Sequence, residues 1–149
     1  MLLNVSTNTR PPIEVHNEKV INAPAERVWD LLADVERWPS WWRLCKWVKK
    51  ESARSFTWKA HPVTLRSTIV AKARPREFAI TADGLGVHAE RAVTVTPSLD
   101  GRSTVVTSPE TQVGPLPWLG RLILAPRLHA ANDAMFEALA RAAMQWTWS

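Results

Sequence analysis

Ile21-Asn22-Ala23-Pro24-Ala25-Glu26-Arg27-Val28-Trp29-Asp30-Leu31-Leu32-Ala33-Asp34 is the stretch that orders the rest of the chain. Val28, Leu31, Leu32 and the following Val35 recur at i, i+3, i+4 and i+7, one apolar face of a helix, while Arg27, Asp30 and Asp34 point elsewhere. Asn22 offers a capping oxygen, Pro24 a proline for the first turn and Glu26 a carboxylate at the positive helix end, so the helix starts here. Upstream, Ile13, Val15 and Ile21 share one parity and Glu14, His16 and Glu18 the other, which predicts a half-buried strand over 13–21. Downstream, Pro39 breaks the helical pattern, and residues 35–42 read as a second short helix or turn carrying Trp38, Trp41 and Trp42.

Beyond Trp42 the apolar period changes from helical to two. Strands are predicted near 44–50, 54–60, 63–72, 77–82, 87–96 and 102–110, separated by His61-Pro62, Arg74-Pro75, Asp83-Gly84-Leu85-Gly86 and Asp100-Gly101. The connections are too short for parallel crossovers, so the six strands form an antiparallel meander. Gly114, Pro115 and Pro117 mark the exit from the sheet into a helical remainder. Leu128, Ala131, Met135, Leu139, Ala142 and Trp146 run down one side of it, opposite Asp133, Glu137 and Arg141. Pro126 is expected to kink this segment or to split a short helix at 116–125 from the main one.

Composition limits what such a chain can be. At 149 residues it reads as one domain, 1–149, with 1–11 and 146–149 as tails. One Cys excludes an internal disulfide framework. No run of apolar residues reaches secretory or membrane-spanning length, which reads as a cytoplasmic protein. The aromatic content is unusual: nine Trp and no Tyr give large apolar walls without phenol chemistry. The net charge of +5 is concentrated, with nine basic residues and one acid between Arg43 and Arg74. That stretch is either a set of solvated strand faces or a surface facing an anion, an acidic partner or a membrane. Nothing in it suggests nucleic acid.

The opening stretch, with Trp38-Pro39 and Trp41-Trp42 behind it, closely resembles the opening signature of the SRPBCC superfamily, the START-like group that includes polyketide cyclase/dehydrase-type proteins. Pro75 before a strand, Asp100-Gly101 with Thr104, and Glu110 before Gly114 resemble later landmarks of that group, so the likeness spans about residues 13–145. The resemblance implies an α+β helix-grip fold in the order β-α-α-β6-α. In it a seven-stranded curved antiparallel sheet wraps around a long C-terminal helix, leaving a cavity for an apolar or amphipathic ligand. One departure is Ile80, near a position where many relatives carry Trp.

Which side chains bear on chemistry follows from type and parity. His16, His61, His88 and His129 form no pair at metal-ligating spacing, so neither a metal nor another cofactor is expected. Cys45 sits beside Lys46 but has no organised base, and reads as a small buried hydrophobe. Trp38, Trp41 and Trp42, together with Trp58 on the parity of Phe56 and Ala60, either fill the core or border a pocket mouth, and Trp118 is a candidate lid residue. Arg91 shares parity with Val93 and Val95, so its charge points inward, where it must be paired or used. Glu110, ending the last strand, is a candidate partner for Arg91 or Arg66; Arg66, His88 and Glu90 default to solvent by parity, and a bulge near Gly86 would turn His88 and Glu90 inward instead. Two functions remain open. One is binding of a lipid, polyketide or isoprenoid-like molecule; the other is a cyclase, aromatase or dehydratase whose shaped pocket positions a polyketide-like chain and whose few polar groups move protons. Oligomeric state is not legible.

Overall fold

The computed structural model describes residues 13–145, with residues 115–125 described by their backbone alone. Strand β1 is Ile13–Ile21, helix α1 Ala25–Ala33 and helix α2 Trp38–Trp41, with a single 3-10 turn at Val35–Arg37 between the helices. Strands β2 (Cys45–Lys50), β3 (Ser55–Ala60), β4 (Val63–Ala73), β5 (Glu77–Gly84), β6 (Val87–Pro97) and β7 (Thr104–Val113) follow, and helix α3 covers Pro115–Gln145. The sheet order is β1-β7-β6-β5-β4-β3-β2, antiparallel throughout. This is the helix-grip arrangement, the seven strands in one sheet with the long terminal helix packed on β1 and over the inner face.

The opening stretch forms its helix by a different cap from the expected one. Asn22 makes no cap; Pro24 itself is the N-cap, with φ −64° and ψ 149°, and its carbonyl accepts the amides of Arg27 and Val28 at 3.1 and 3.2 Å. Proline serves there because its ring already holds the required φ and its missing amide would be unpaired anyway. Val28, Leu31, Leu32 and Val35 are buried as the periodicity requires, and Trp29 joins them by donating Nε1–H to the Glu77 carbonyl at 2.8 Å. The strongest core anchors, Phe56, Phe136, Ile21, Leu32 and Leu139, are at most 1% exposed and each contributes roughly 1.5–3 kcal/mol by burial.

Two local features aim side chains. Between Cys45 and Val48 the β2–β3 register shifts, a bulge that puts both Cys45 and Val48 on the core while Lys46 and Trp47 face out. The Pro126 reading is settled in favour of one element, since α3 continues through it and no separate helix at 116–125 forms. Proline removes one backbone bond from the ladder, and beyond it the buried Met135, Phe136, Leu139 and Ala143 anchor the helix to the core. The expected tails, 1–11 and 146–149, and Trp146 lie outside the described residues.

Candidate functional site

The inner face of the sheet does not close on α3. A cavity of about 290 Å³ remains between strands β3 to β7, Trp38 and Trp42, and the Leu128 to Met135 part of α3. That is near the lower end of the ~300–1,000 Å³ range of small-molecule sites. Alternation produces its wall: Trp58, Leu65, Ile80, Val87, Ala89 and Val93 all occupy inward positions of their strands.

The tryptophans are wall rather than rim. Trp38 is 2% and Trp58 5% exposed, and the Trp38 ring meets Trp42, Phe56 and Trp58 edge-on at centroid distances of 5.6, 5.4 and 5.3 Å. Their polar tips are already engaged. Trp38 Nε1–H donates to the Leu32 carbonyl at 3.0 Å, and Trp58 Nε1–H to the buried Ser67 hydroxyl at 2.8 Å. Trp38 and Trp58 therefore present carbon to the cavity, and the Trp42 ring lines it beside them. Trp41 stands behind them, stacked on Trp42 at 6.3 Å; it does not line the cavity, and its buried Nε1 has no partner among the described residues. The Trp118 side chain lies outside the described residues.

The polar groups gather at one pole, formed by Arg91, Glu110, Gln112 and Asn132. Arg91 of β6 and Glu110 of β7 are direct cross-strand neighbours, with side chains 10% and 8% exposed and Nε to Oε1 3.9 Å apart. This is a long ion pair, because each group also has other partners. Arg91 Nε–H donates to Ser108 Oγ at 2.8 Å, its Nη2 lies 3.5 Å from Met135 Sδ, and the guanidinium sits 5.3 Å from the Phe136 ring centre. Glu110 accepts from Asn132 Nδ2 and Gln112 Nε2, both at 3.0 Å. Burial draws the Arg91 pKa below its usual value and the Glu110 charge opposes that, yet an arginine remains cationic. Its Nη1 makes no hydrogen bond among the described residues, which leaves donor capacity beside an apolar chamber.

Parity predicted the inward turn of Arg91, and of the two partners open to Glu110, Arg91 and Arg66, the structure pairs it with Arg91; Ser108, Gln112 and Asn132 were missed. The signal existed, since Ser108 and Gln112 share the parity of Glu110, and Asn132 falls four residues after Leu128 and three before Met135 on the apolar helix face. His88 lies on the outer face, with Nδ1 2.6 Å from Asp83 Oδ1 and Nε2 3.2 Å from Glu90 Oε2, remote from this pole. Cys45 is buried in the core and its thiol is pushed up to about 11 by burial, so it is no nucleophile. Among the described residues no three His, Cys, Asp or Glu side chains come together to hold a metal, and no helix is long and apolar enough to cross a membrane.

A curved sheet gripping a terminal helix across an apolar chamber defines the START-like class of helix-grip proteins. The family described as polyketide cyclase / dehydrase and lipid transport matches residues 12–144, and the chain belongs to it. No curated protein matches the sequence. Among solved structures, a START superfamily protein from Mycobacterium smegmatis superposes with a TM-score of 0.80 at 15% identity, covering 89% of this chain and 98% of that one. The Zhui aromatase/cyclase from a Streptomyces species superposes at 0.70 with 18% identity, covering 89% and 93%. Truncated norcoclaurine synthase from Thalictrum flavum superposes at 0.66 with 16% identity, covering 87% and 91%. At these identities the likeness is one of fold.

Proposed function

We propose that the chain binds a hydrophobic or amphipathic small molecule, of lipid, polyketide or isoprenoid type, in the cavity between sheet and α3. The observation that carries this reading is the distribution of polarity in the chamber: a largely carbon wall, with the Trp38 and Trp58 N–H groups engaged elsewhere, and one pole holding Arg91 and Glu110. An apolar body gains roughly 25 cal/mol for each Å² it removes from water, and a single acceptor on it finds the Arg91 donor. Trp38, Trp42, Trp58, Arg91 and Glu110 are the proposed contacts. Native mass spectrometry of freshly purified protein tests the reading. A retained small molecule, lost on denaturation and lost in an Ala89→Phe variant of unchanged urea midpoint, supports it; empty protein that also shows no change in Trp emission with 1-decanol refutes it.

A second reading, a cyclase, aromatase or dehydratase using the same cavity, is favoured by the family description and by the donor at the polar pole. Arg91 would polarise a substrate carbonyl and Glu110 would accept a proton, the cavity supplying the folded conformation of the chain. Turnover of a polyketide-like chain that Arg91→Leu and Glu110→Gln both abolish supports this; turnover unchanged in both removes the pair from any mechanism.

A further inference from the structure

A second concavity, a groove of about 380 Å³, lies against the first. It runs between the start of β2 and the flank of α3, and Trp42, Leu44 and Ala131 line both it and the cavity. Its lining includes the small apolar Ala134 and the buried Ala138 together with Arg43, Lys46, Arg141 and His61. No carboxylate lines it among the described residues, and there none of Arg43, Lys46 or Arg141 takes part in an ion pair.

The neighbouring acids are engaged on other faces. Glu137 is held by Lys19 at 2.8 Å, Asp133 by Asn17 at 2.7 Å, and Asp30 by Arg74 at 2.8 and 3.0 Å. Carboxylates on α3 thus turn toward β1, while Arg141 borders the groove on the β2 side. There the bulge between Cys45 and Val48 leaves Lys46 exposed beside Arg43. Three cations, with no counter-charge among the described residues, line a concavity that shares Trp42, Leu44 and Ala131 with the apolar chamber.

We infer that this groove holds the anionic head group, carboxylate or phosphate, of an amphiphile whose apolar body occupies the cavity. The inference rests on the binding reading above and adds the polarity of the ligand and its direction: body toward Trp58 and Ile80, head between Arg43, Lys46 and Arg141. Concavity favours a single head group over a membrane surface, since a flat bilayer does not reach a small buried residue such as Ala138.

The test compares 1-decanol, decanoate and decyl phosphate, below their micellar concentrations, by Trp emission and calorimetry. Wild type is expected to prefer decyl phosphate to decanol by about tenfold at low salt, the sum of three exposed charge contacts, and to lose most of that preference at high ionic strength. Substituting Arg43→Gln, Lys46→Gln and Arg141→Gln together is expected to bring the ratio close to one. Decanol binding without any anion preference overturns the inference and leaves the cavity reading standing, whereas binding of none of the three probes overturns both. A preference that survives the triple substitution, or that ignores salt, places the anion at Arg91 and overturns the groove assignment. Association with phosphatidylglycerol vesicles that the triple substitution abolishes, with no preference among soluble probes, assigns the cations to a membrane and likewise overturns it.

Discussion

Removing Arg91 and Glu110 singly and together measures whether the polar pole acts as one unit. The two side chains are 10% and 8% exposed and 3.9 Å apart, so at an effective dielectric of ~20 their attraction is about 4 kcal/mol before desolvation. Desolvation takes back a large share, and the measurable coupling falls to about 1–3 kcal/mol. Arg91→Met strands the Glu110 charge, which keeps only its bonds from Asn132 and Gln112, and deprives the buried Ser108 hydroxyl of its donor. The expected cost is about 3 kcal/mol, at the lower end for a broken buried pair because those amide bonds survive. Glu110→Gln leaves the cation without a counter-charge and costs about 2 kcal/mol by the same reasoning. The double variant is expected to lose less than the sum, with m unchanged, in urea titrations followed by Trp emission. Losses that add to within about 0.5 kcal/mol mean the groups do not interact and refute the reasoning.

Gly114→Ala is expected to destabilise far more than Gly101→Ala in thermal melts. Both glycines have positive φ, 124° and 73°, but only at 114 would a Cβ collide with the Gly86 carbonyl oxygen, while at 101 it meets open space; equal losses would count against the packing of the β5–β6 turn on the α3 start. His88 has its pKa raised by hydrogen bonds to Asp83 and Glu90. Its contribution to stability is therefore full below the unfolded value near 6.5 and fades as pH rises through the folded one. The side chain is 38% exposed, so the effect is small, and His88→Asn should flatten the pH dependence of the urea midpoint above pH 6; an unchanged profile sinks the assignment. Cys45, with its thiol pushed up to about 11, is expected to resist alkylation at pH 8 until urea unfolds the core, and rapid labelling of native protein would contradict its burial.

Much of this was legible because period is a backbone property. The helix at Ala25–Ala33 follows from Val28, Leu31, Leu32 and Val35, and the meander from alternation between proline and glycine turns. Arg91 could be turned inward from Val93 and Val95 alone. Asn132 could not be valued in the same way, because a lone polar residue on an apolar helix face looks like a defect until Glu110, 22 residues earlier, is known to meet it. The helix cap was misjudged because preference at an N-cap favours Asn22, whereas the local geometry is set by the fixed φ of Pro24. Trp41 and Trp42 are adjacent in sequence, and only the end of α2 decides which faces the cavity. The basic groove is tertiary throughout, joining Arg43 and Lys46 to Arg141 nearly one hundred positions later.

If the chamber beside Trp58 takes an apolar body, a halogenated alkane will enter it. A crystal grown with saturating 1-bromododecane tests it, because anomalous scattering locates the bromine without assumptions about the chain. One strong peak is expected inside the cavity, against Trp58, Ile80 and Met135. A chamber without bromine, or bromine found only on the outer face of the sheet, would contradict it.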